Sequence, residues 1–312
     1  NPTGTIPLSE AQFRANIDRC ICVDQDKNVF FLVDNDGKFA AFMLNEEADK
    51  LISLKSDINA LFNSPVLGYN SKDDIVYQFW ANRDSHEVYY FDPKTDYAPT
   101  TAISSISWDD PNFPNIEGFG VWAAKCNFTM GPDGKMYSRM LGGNLVRIDV
   151  ENARGENLTN GDLVGTKDGS AYGLVFDPQD ENVFYFSNND KHCIYKYDLR
   201  TKECACWAGQ EGKSGYLDGP IGQAMFNKPG QMCVDSEGNI ILTDTENHCI
   251  RKITMSTGYV STLAGKPQNS GYVNGSAEDA QFKKPLGICI DNDDVMYIGD
   301  SENRAIRRLA VE

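Results

Sequence analysis

The stretch Tyr216-Leu-Asp-Gly-Pro-Ile-Gly-Gln-Ala-Met-Phe-Asn-Lys-Pro229 returns 56 residues later as Tyr272-Val-Asn-Gly-Ser-Ala-Glu-Asp-Ala-Gln-Phe-Lys-Lys-Pro285. Its continuation, Thr243-Asp-Thr-Glu-Asn-His-Cys-Ile-Arg-Lys252, returns as Gly299-Asp-Ser-Glu-Asn-Arg-Ala-Ile-Arg-Arg308. One further step back gives Ser187-Asn-Asn-Asp-Lys-His-Cys-Ile-Tyr-Lys196. A repeat of this length marks units that cannot bury their own apolar face and must stack on copies of themselves.

Each unit reads alike. A short apolar strand ends in Asp (Met232-Cys-Val-Asp235; Ile288-Cys-Ile-Asp291), and a turn of Gly, Asp or Asn follows. A second strand (Ile240-Ile-Leu-Thr243) and a third of alternating character (Ile250-Arg-Lys-Ile253) come next, and Val260-Ser-Thr-Leu-Ala264 makes a fourth. The same template places weaker copies from Ile21, Val66, Asn127 and Leu174. Six units of four antiparallel strands predict an all-β, six-bladed β-propeller. The expected blades cover about 17–62, 63–106, 119–166, 170–212, 226–265 and 282–312, within a single domain of 1–312. The last copy stops after Leu309-Ala-Val-Glu312, one strand short. The segment 3–9, around Thr5-Ile-Pro-Leu8, is expected to supply that strand and so remove an open sheet edge.

At these residues the sequence resembles the NHL-repeat family. The marks are Pro229 and Pro285 entering the inner strand, the Asp that ends it, and the D-x-x-N-x-x-I-R-K pattern of Asp244, Asn247, Ile250, Arg251 and Lys252. The fourth unit keeps Asn188, His192, Ile194 and Lys196; Gln231 departs by standing where Gly173 and Gly287 sit. The resemblance extends to bacterial cell-surface proteins whose NHL propellers often follow an IPT/TIG domain. It implies an exported protein of the cell surface or periplasm, with another domain upstream.

The 45 acidic against 29 basic side chains give a formal charge of −16. Such a surface repels phosphate backbones and argues against a nucleic-acid partner. No apolar run approaches the length of a transmembrane helix. The nine cysteines are odd in number, and several recur in register: Cys233 with Cys289, Cys193 with Cys249. They read as small buried hydrophobes. All three histidines, His86, His192 and His248, fall on one repeat position, four after an Asn or Asp, and read as fold residues. The Asp/Asn series at that turn is expected to accept backbone N–H groups. No Gly-rich phosphate loop, nucleophile elbow or C-x-x-C motif is present, so no catalytic residue, metal ligand or cofactor is assigned.

What remains is surface. Loops leading into the inner strands carry Trp108, Phe113, Trp122, Tyr172, Tyr216 with Asp218, and Tyr272. Flat aromatic faces beside carboxylates and amides suit sugars, whose C–H faces stack while their hydroxyls need polar partners. Gln231 joins the set as the break in the glycine pattern. Tyr216 and Tyr272 also admit a plainer role, anchoring their loops, because they repeat. Trp108, Phe113 and Trp122 sit in a loop unique to one blade, where specific function concentrates. The sequence thus predicts a non-enzymatic binding module for a glycan or an envelope protein. The alternative is a metal-dependent lyase or hydrolase working at the central channel.

Overall fold

A computed structural model describes residues 3–6, 16–35, 38–47, 51–59, 65–81, 86–109, 126–140, 143–159 and 172–310. Its strands form six small sheets, each built mainly of antiparallel neighbours in chain order. Blade I runs Asn16–Val23, Val29–Asn35, Lys38–Leu44 and Leu51–Asn59. Blade II runs Val66–Asn70, Ile75–Ala81, His86–Phe91 and Thr100–Ile103. Blade III runs Thr129–Met130, Met136–Arg139, Leu145–Asp149 and Arg154–Asn157. Blade IV runs Leu174–Phe176, Val183–Asn188, Cys193–Asp198 and Cys204–Gly209. Blade V runs Pro229–Val234, Ile240–Asp244, Cys249–Thr254 and Tyr259–Ala264. Blade VI has Pro285–Ile290, Val295–Asp300 and Ala305–Ala310 from the C-terminal end. Its fourth strand is Thr3–Ile6, paired antiparallel from Thr3 opposite Leu309 to Ile6 opposite Ile306. The protein is a six-bladed β-propeller, closed by its N-terminal segment.

Blades III and V each carry a short fifth strand on the outer edge. Gly219–Pro220 lies antiparallel to Tyr259–Val260. Ser107–Trp108 lies parallel to Arg154–Gly155, giving blade III an outermost strand that comes from the chain between blades II and III.

Alternation along each strand sends side chains to both faces, and both are covered by the neighbouring blades. The core is therefore a set of inter-blade seams. Leu32, Phe79, Phe128 and Val146 share one apolar cluster across blades I to III, with Phe79 and Phe128 stacked at 5.2 Å. Phe31, next to Leu32 in the strand, faces the other way and packs with Val23, Ile306 and Tyr297 across the closure between blades I and VI. The remaining seams are lined by Phe184, Tyr195 and Cys193 (III–IV), Phe226, Ile240 and Ile253 (IV–V), and Phe282, Ile288 and Ile298 (V–VI). Burying a side chain of this size stabilises by roughly 1.5–3 kcal/mol.

Candidate ligand-recognition site

The inner strands of all six blades enclose a channel of about 330 Å³, with Val23, Tyr69, Met130, Val175, Cys233 and Ile290 among its walls. Inner strands expose unpaired backbone groups toward the axis, and buried groups of that kind need partners. Counting back from the turn, one position in blades III to VI reads Asn127, Gly173, Gln231 and Gly287. The two carboxamides perform the pairing. Asn127 accepts from Leu174 N–H at 2.6 Å and donates to Leu174 C=O at 3.1 Å. Gln231 Oε1 accepts from Ile21 N–H at 3.0 Å and Ile288 N–H at 3.2 Å, and its Nε2 donates to Ile21 C=O at 2.9 Å. Gln231 thus ties blades V, VI and I together across the axis, and it is 4% exposed. Glycine fits between them because the strands are so close: a Cβ on Gly173 would stand 2.6 Å from Met232 N.

The D-x-x-N-x-x-I-R pattern builds a second internal network. Arg251 is fully buried and its Nη1 lies 2.7 Å from Asp244 Oδ2, also fully buried; its Nη2 lies 2.7 Å from Asp218 Oδ1. The same guanidinium donates to Met225 and Leu217 carbonyls, and sits over the rings of Tyr216 and Phe226. Asn247 donates to both Asp244 and Gly215 C=O. Asp244 accepts from Asn227 N–H with its other oxygen. Burial pushes the Asp244 carboxyl up to about 6, against the pull of Arg251, Asn247 and the Asn227 N–H. Blade VI repeats the arrangement with Arg307 on Asp300 at 2.7 Å, Asn303 on Gly271 C=O, and Tyr272 and Phe282 beneath the guanidinium. In place of Asp218 stands Asn274, which accepts from Arg307 at 2.7 Å.

Of the series expected to accept turn N–H groups, Asn188 does so from Lys191 N–H at 3.1 Å, whereas Asp244 and Asp300 hold buried arginines and the N–H of the incoming loop. Of each basic pair, Lys252 stays outside, where it pairs with Asp235 at 3.0 Å. The histidines act between blades. His192 and His248 adopt left-handed backbone at φ 57, and their Nδ1 atoms accept from Lys228 N–H at 3.1 Å and Lys284 N–H at 3.2 Å. The side chain of His86 lies outside the described residues. All nine cysteines are free thiols.

The eight sequence candidates therefore do not form one cluster. Gln231 lies in the channel. Tyr216 and Asp218 belong to the Arg251 network, with Tyr216 Oη 2.7 Å from Thr262 Oγ1. Tyr272 packs against Arg307, yet it remains 55% exposed beside Val273. Tyr172 enters blade IV and its N–H donates to Ser187 Oγ. Phe113 and Trp122 lie outside the described residues.

Trp108 stands apart, on the circumference of blade III. Its strand is held by Ser107 N–H to Ala153 C=O at 2.9 Å and Asp109 N–H to Gly155 C=O at 3.0 Å. The half-buried indole lies directly on Gly155, where a Cβ would meet its ring at 2.5 Å. Beside it opens a recess of about 340 Å³ lined by Asp109, Lys135, Arg147, Asp149, Arg154 and Glu156. Arg147 pairs with Glu156 and with Asp133 at 3.3 Å, and Lys135 pairs with Asp149 at 3.5 Å. Among the described residues no carboxylate pairs with Arg154, which is exposed and stands opposite Ser107, the residue before Trp108. Arg154 and the parallel strand were missed by the sequence reading, because two residues carry no periodicity.

An NHL repeat is recognised over residues 226–253. The chain is 25% identical over 271 residues to Protein SUPPRESSOR OF QUENCHING 1, chloroplastic, of Arabidopsis thaliana, covering 80% of this chain and 25% of that protein. It is 30% identical over 152 residues to NHL repeat-containing protein 2 of Gallus gallus, covering 48% of this chain and 19% of that one. The chain thus spans a quarter or less of the curated relatives it matches. Among solved structures, a structural genomics protein of unknown function from Bacteroides thetaiotaomicron superposes with a TM-score of 0.81 at 21% identity, over 99% of this chain and 76% of that one. An auxiliary nutrient binding protein from the same organism superposes with a TM-score of 0.72 at 20% identity, over 94% of this chain and 68% of that one. At these identities the structural likeness establishes the propeller fold.

Proposed function

We propose that this NHL-repeat propeller is the binding module of an exported bacterial protein, and that it recognises a carbohydrate at the Trp108 recess of blade III. One observation carries the reading: an indole fixed on Gly155 borders a recess lined by both acids and bases. An aromatic face contributes C–H stacking, and the surrounding carboxylates and guanidiniums offer hydroxyl groups both acceptors and donors. Arg154 adds a donor fork that no acid among the described residues engages. The auxiliary nutrient binding proteins that share the fold are Bacteroides proteins, which supports both binding and export. No helix among the described residues is long and apolar enough to cross a membrane.

A glycan array followed by calorimetry on the best ligand tests this. Trp108→Ala is expected to weaken binding about fivefold or more, since loss of an aromatic platform removes about 1–3 kcal/mol. Arg154→Ala should weaken it less and keep the wild-type melting temperature within a few degrees, while Trp108→Ala, which also loses packing against the core, is compared at a temperature where circular dichroism shows it folded. Folded protein that binds no carbohydrate, or binds one equally well without Trp108, would overturn the assignment. Retention of an envelope protein instead would move the ligand class to protein.

A further inference from the structure

Blades IV and V share the His-Cys-Ile start of their third strand (His192 to Ile194; His248 to Ile250), and they differ where the third strand meets the fourth. In blade V, Thr262 stands opposite Arg251 and hydrogen-bonds Tyr216 and Asp218 within the arginine network. The equivalent pair in blade IV is Tyr195 and Cys206. Cys193, two residues before Tyr195, matches Cys249 of blade V, so blade IV adds two thiols, Cys204 where Val260 stands and Cys206 where Thr262 stands. Cys193 and Cys206 lie in the apolar seam between blades III and IV, together with Tyr195 and Tyr197. The strand pairing slips between Ile194 and Tyr195, which shortens the path from Cys206 to Cys193. Cys206 Sγ stands 3.7 Å from the carbonyl of Gly209, the residue paired with Cys193. Gly209 has no side chain to intervene, and a Cβ there would already lie 3.2 Å from Cys193 Cα. Cys193 and Cys206 thus lie diagonally across the strand pair within one seam.

We propose that Cys193 and Cys206 are a dithiol that closes to a disulfide by exchange with a disulfide donor, either glutathione disulfide or an oxidised dithiol protein. The bond joins the third and fourth strands of blade IV, where blade V relies on its arginine network. Exposure sets the order of events. Cys206 is partly exposed, whereas Cys193 is 0% exposed. The neighbouring Cys193 thiol is the largest influence on Cys206 and holds its proton affinity below the ordinary thiol value. That thiolate attacks one donor sulfur, and the other leaves as a thiolate. Cys193 then loses its proton and attacks the Cys206 sulfur of the mixed disulfide, expelling the second donor thiolate. The protein gives up two electrons and two protons, and the donor disulfide becomes two thiols.

The experiment equilibrates the folded chain of residues 1–312 in oxidised glutathione buffer, traps it with maleimide under denaturing conditions, and digests it with trypsin. The free-thiol count is expected to fall from nine to seven. The peptide from His192 to Lys196 should be found joined to the peptide from Glu203 to Lys213. Fragmentation between Cys204 and Cys206 assigns the partner. Oxidation should raise the melting temperature of the wild type and leave that of Cys206→Thr unchanged, while Cys204→Ser should still form the link. Nine remaining thiols, or a link to Cys204, would overturn the proposal.

Discussion

His192 and His248 each direct Nδ1 at the backbone of the next blade, and only the neutral imidazole can accept there. Burial, the largest influence on both, lowers their proton affinity below the ordinary histidine value of 6.5. A folded-state value below the unfolded one means that protons bind the unfolded chain more tightly. The contribution of these two residues is therefore complete above about pH 6.5 and is lost as pH falls through their folded values. NMR titration of the two imidazoles should give midpoints below 6.5 for both; Asp244, held up at about 6, acts in the opposite sense over the same range, so the imidazole midpoints rather than overall stability are the readout. A midpoint at or above 6.5 for either ring would contradict the inter-blade contact. This role was legible in the sequence, because three histidines at one repeat position point to the fold. What they touch was not legible, since the N–H that His192 accepts lies 36 residues away in the following blade.

At the scale of the strand, the alternation of Asn127, Gly173, Gln231 and Gly287 shows how a ring of inner strands can close around its axis with its backbone groups paired. A carboxamide is a detached piece of backbone, carrying a donor and an acceptor at the spacing of a peptide group. Asn127 and Gln231 use that likeness to cap Leu174 and Ile21, and glycine follows each of them to leave room for the next strand. Gln231→Gly would restore the repeat consensus while removing three hydrogen bonds to buried backbone. An orphaned buried group costs about 1–3 kcal/mol, so the variant is expected to unfold at lower urea, with a loss of about 2 kcal/mol or more. Equal or greater stability would show that the channel hydrates freely. The departure from glycine was visible beforehand, and it drew attention as a ligand contact. Its structural work emerged only once Ile21, 210 residues away, was placed beside it. The buried arginines were hidden for a similar reason. Arg251 and Arg307 read as the polar half of an alternating strand, but in a propeller both faces of a strand are covered by neighbouring blades.

For the molecule as a whole, the architecture was legible because a repeat transmits its strong copies to its weak ones. Blades V and VI define the template, and blades I to III follow it in strand rhythm with little shared sequence. The missing fourth strand of blade VI was legible by subtraction, and Thr3–Ile6 fills it in the register Thr3–Leu309 through Ile6–Ile306. The position of Trp108 was not legible. A two-residue parallel strand on the outer edge depends on Gly155 accepting an indole against its Cα, a tertiary fit without a local signal. Closure by the N-terminal strand makes the ring's last seam depend on both chain ends, so its loss should be felt locally before it is felt globally. Deleting residues 1–8 would leave the Ala305–Ala310 strand as an open edge. Hydrogen exchange is expected to speed up in that strand first, while the seam of Phe282, Ile288 and Ile298 beneath it stays protected at low denaturant. The melting temperature should fall by several degrees, and the truncated chain should self-associate as protein concentration rises, because an unpaired edge templates pairing between molecules. Unchanged exchange at residues 305–310 would mean that the N-terminal strand is dispensable for closing the ring.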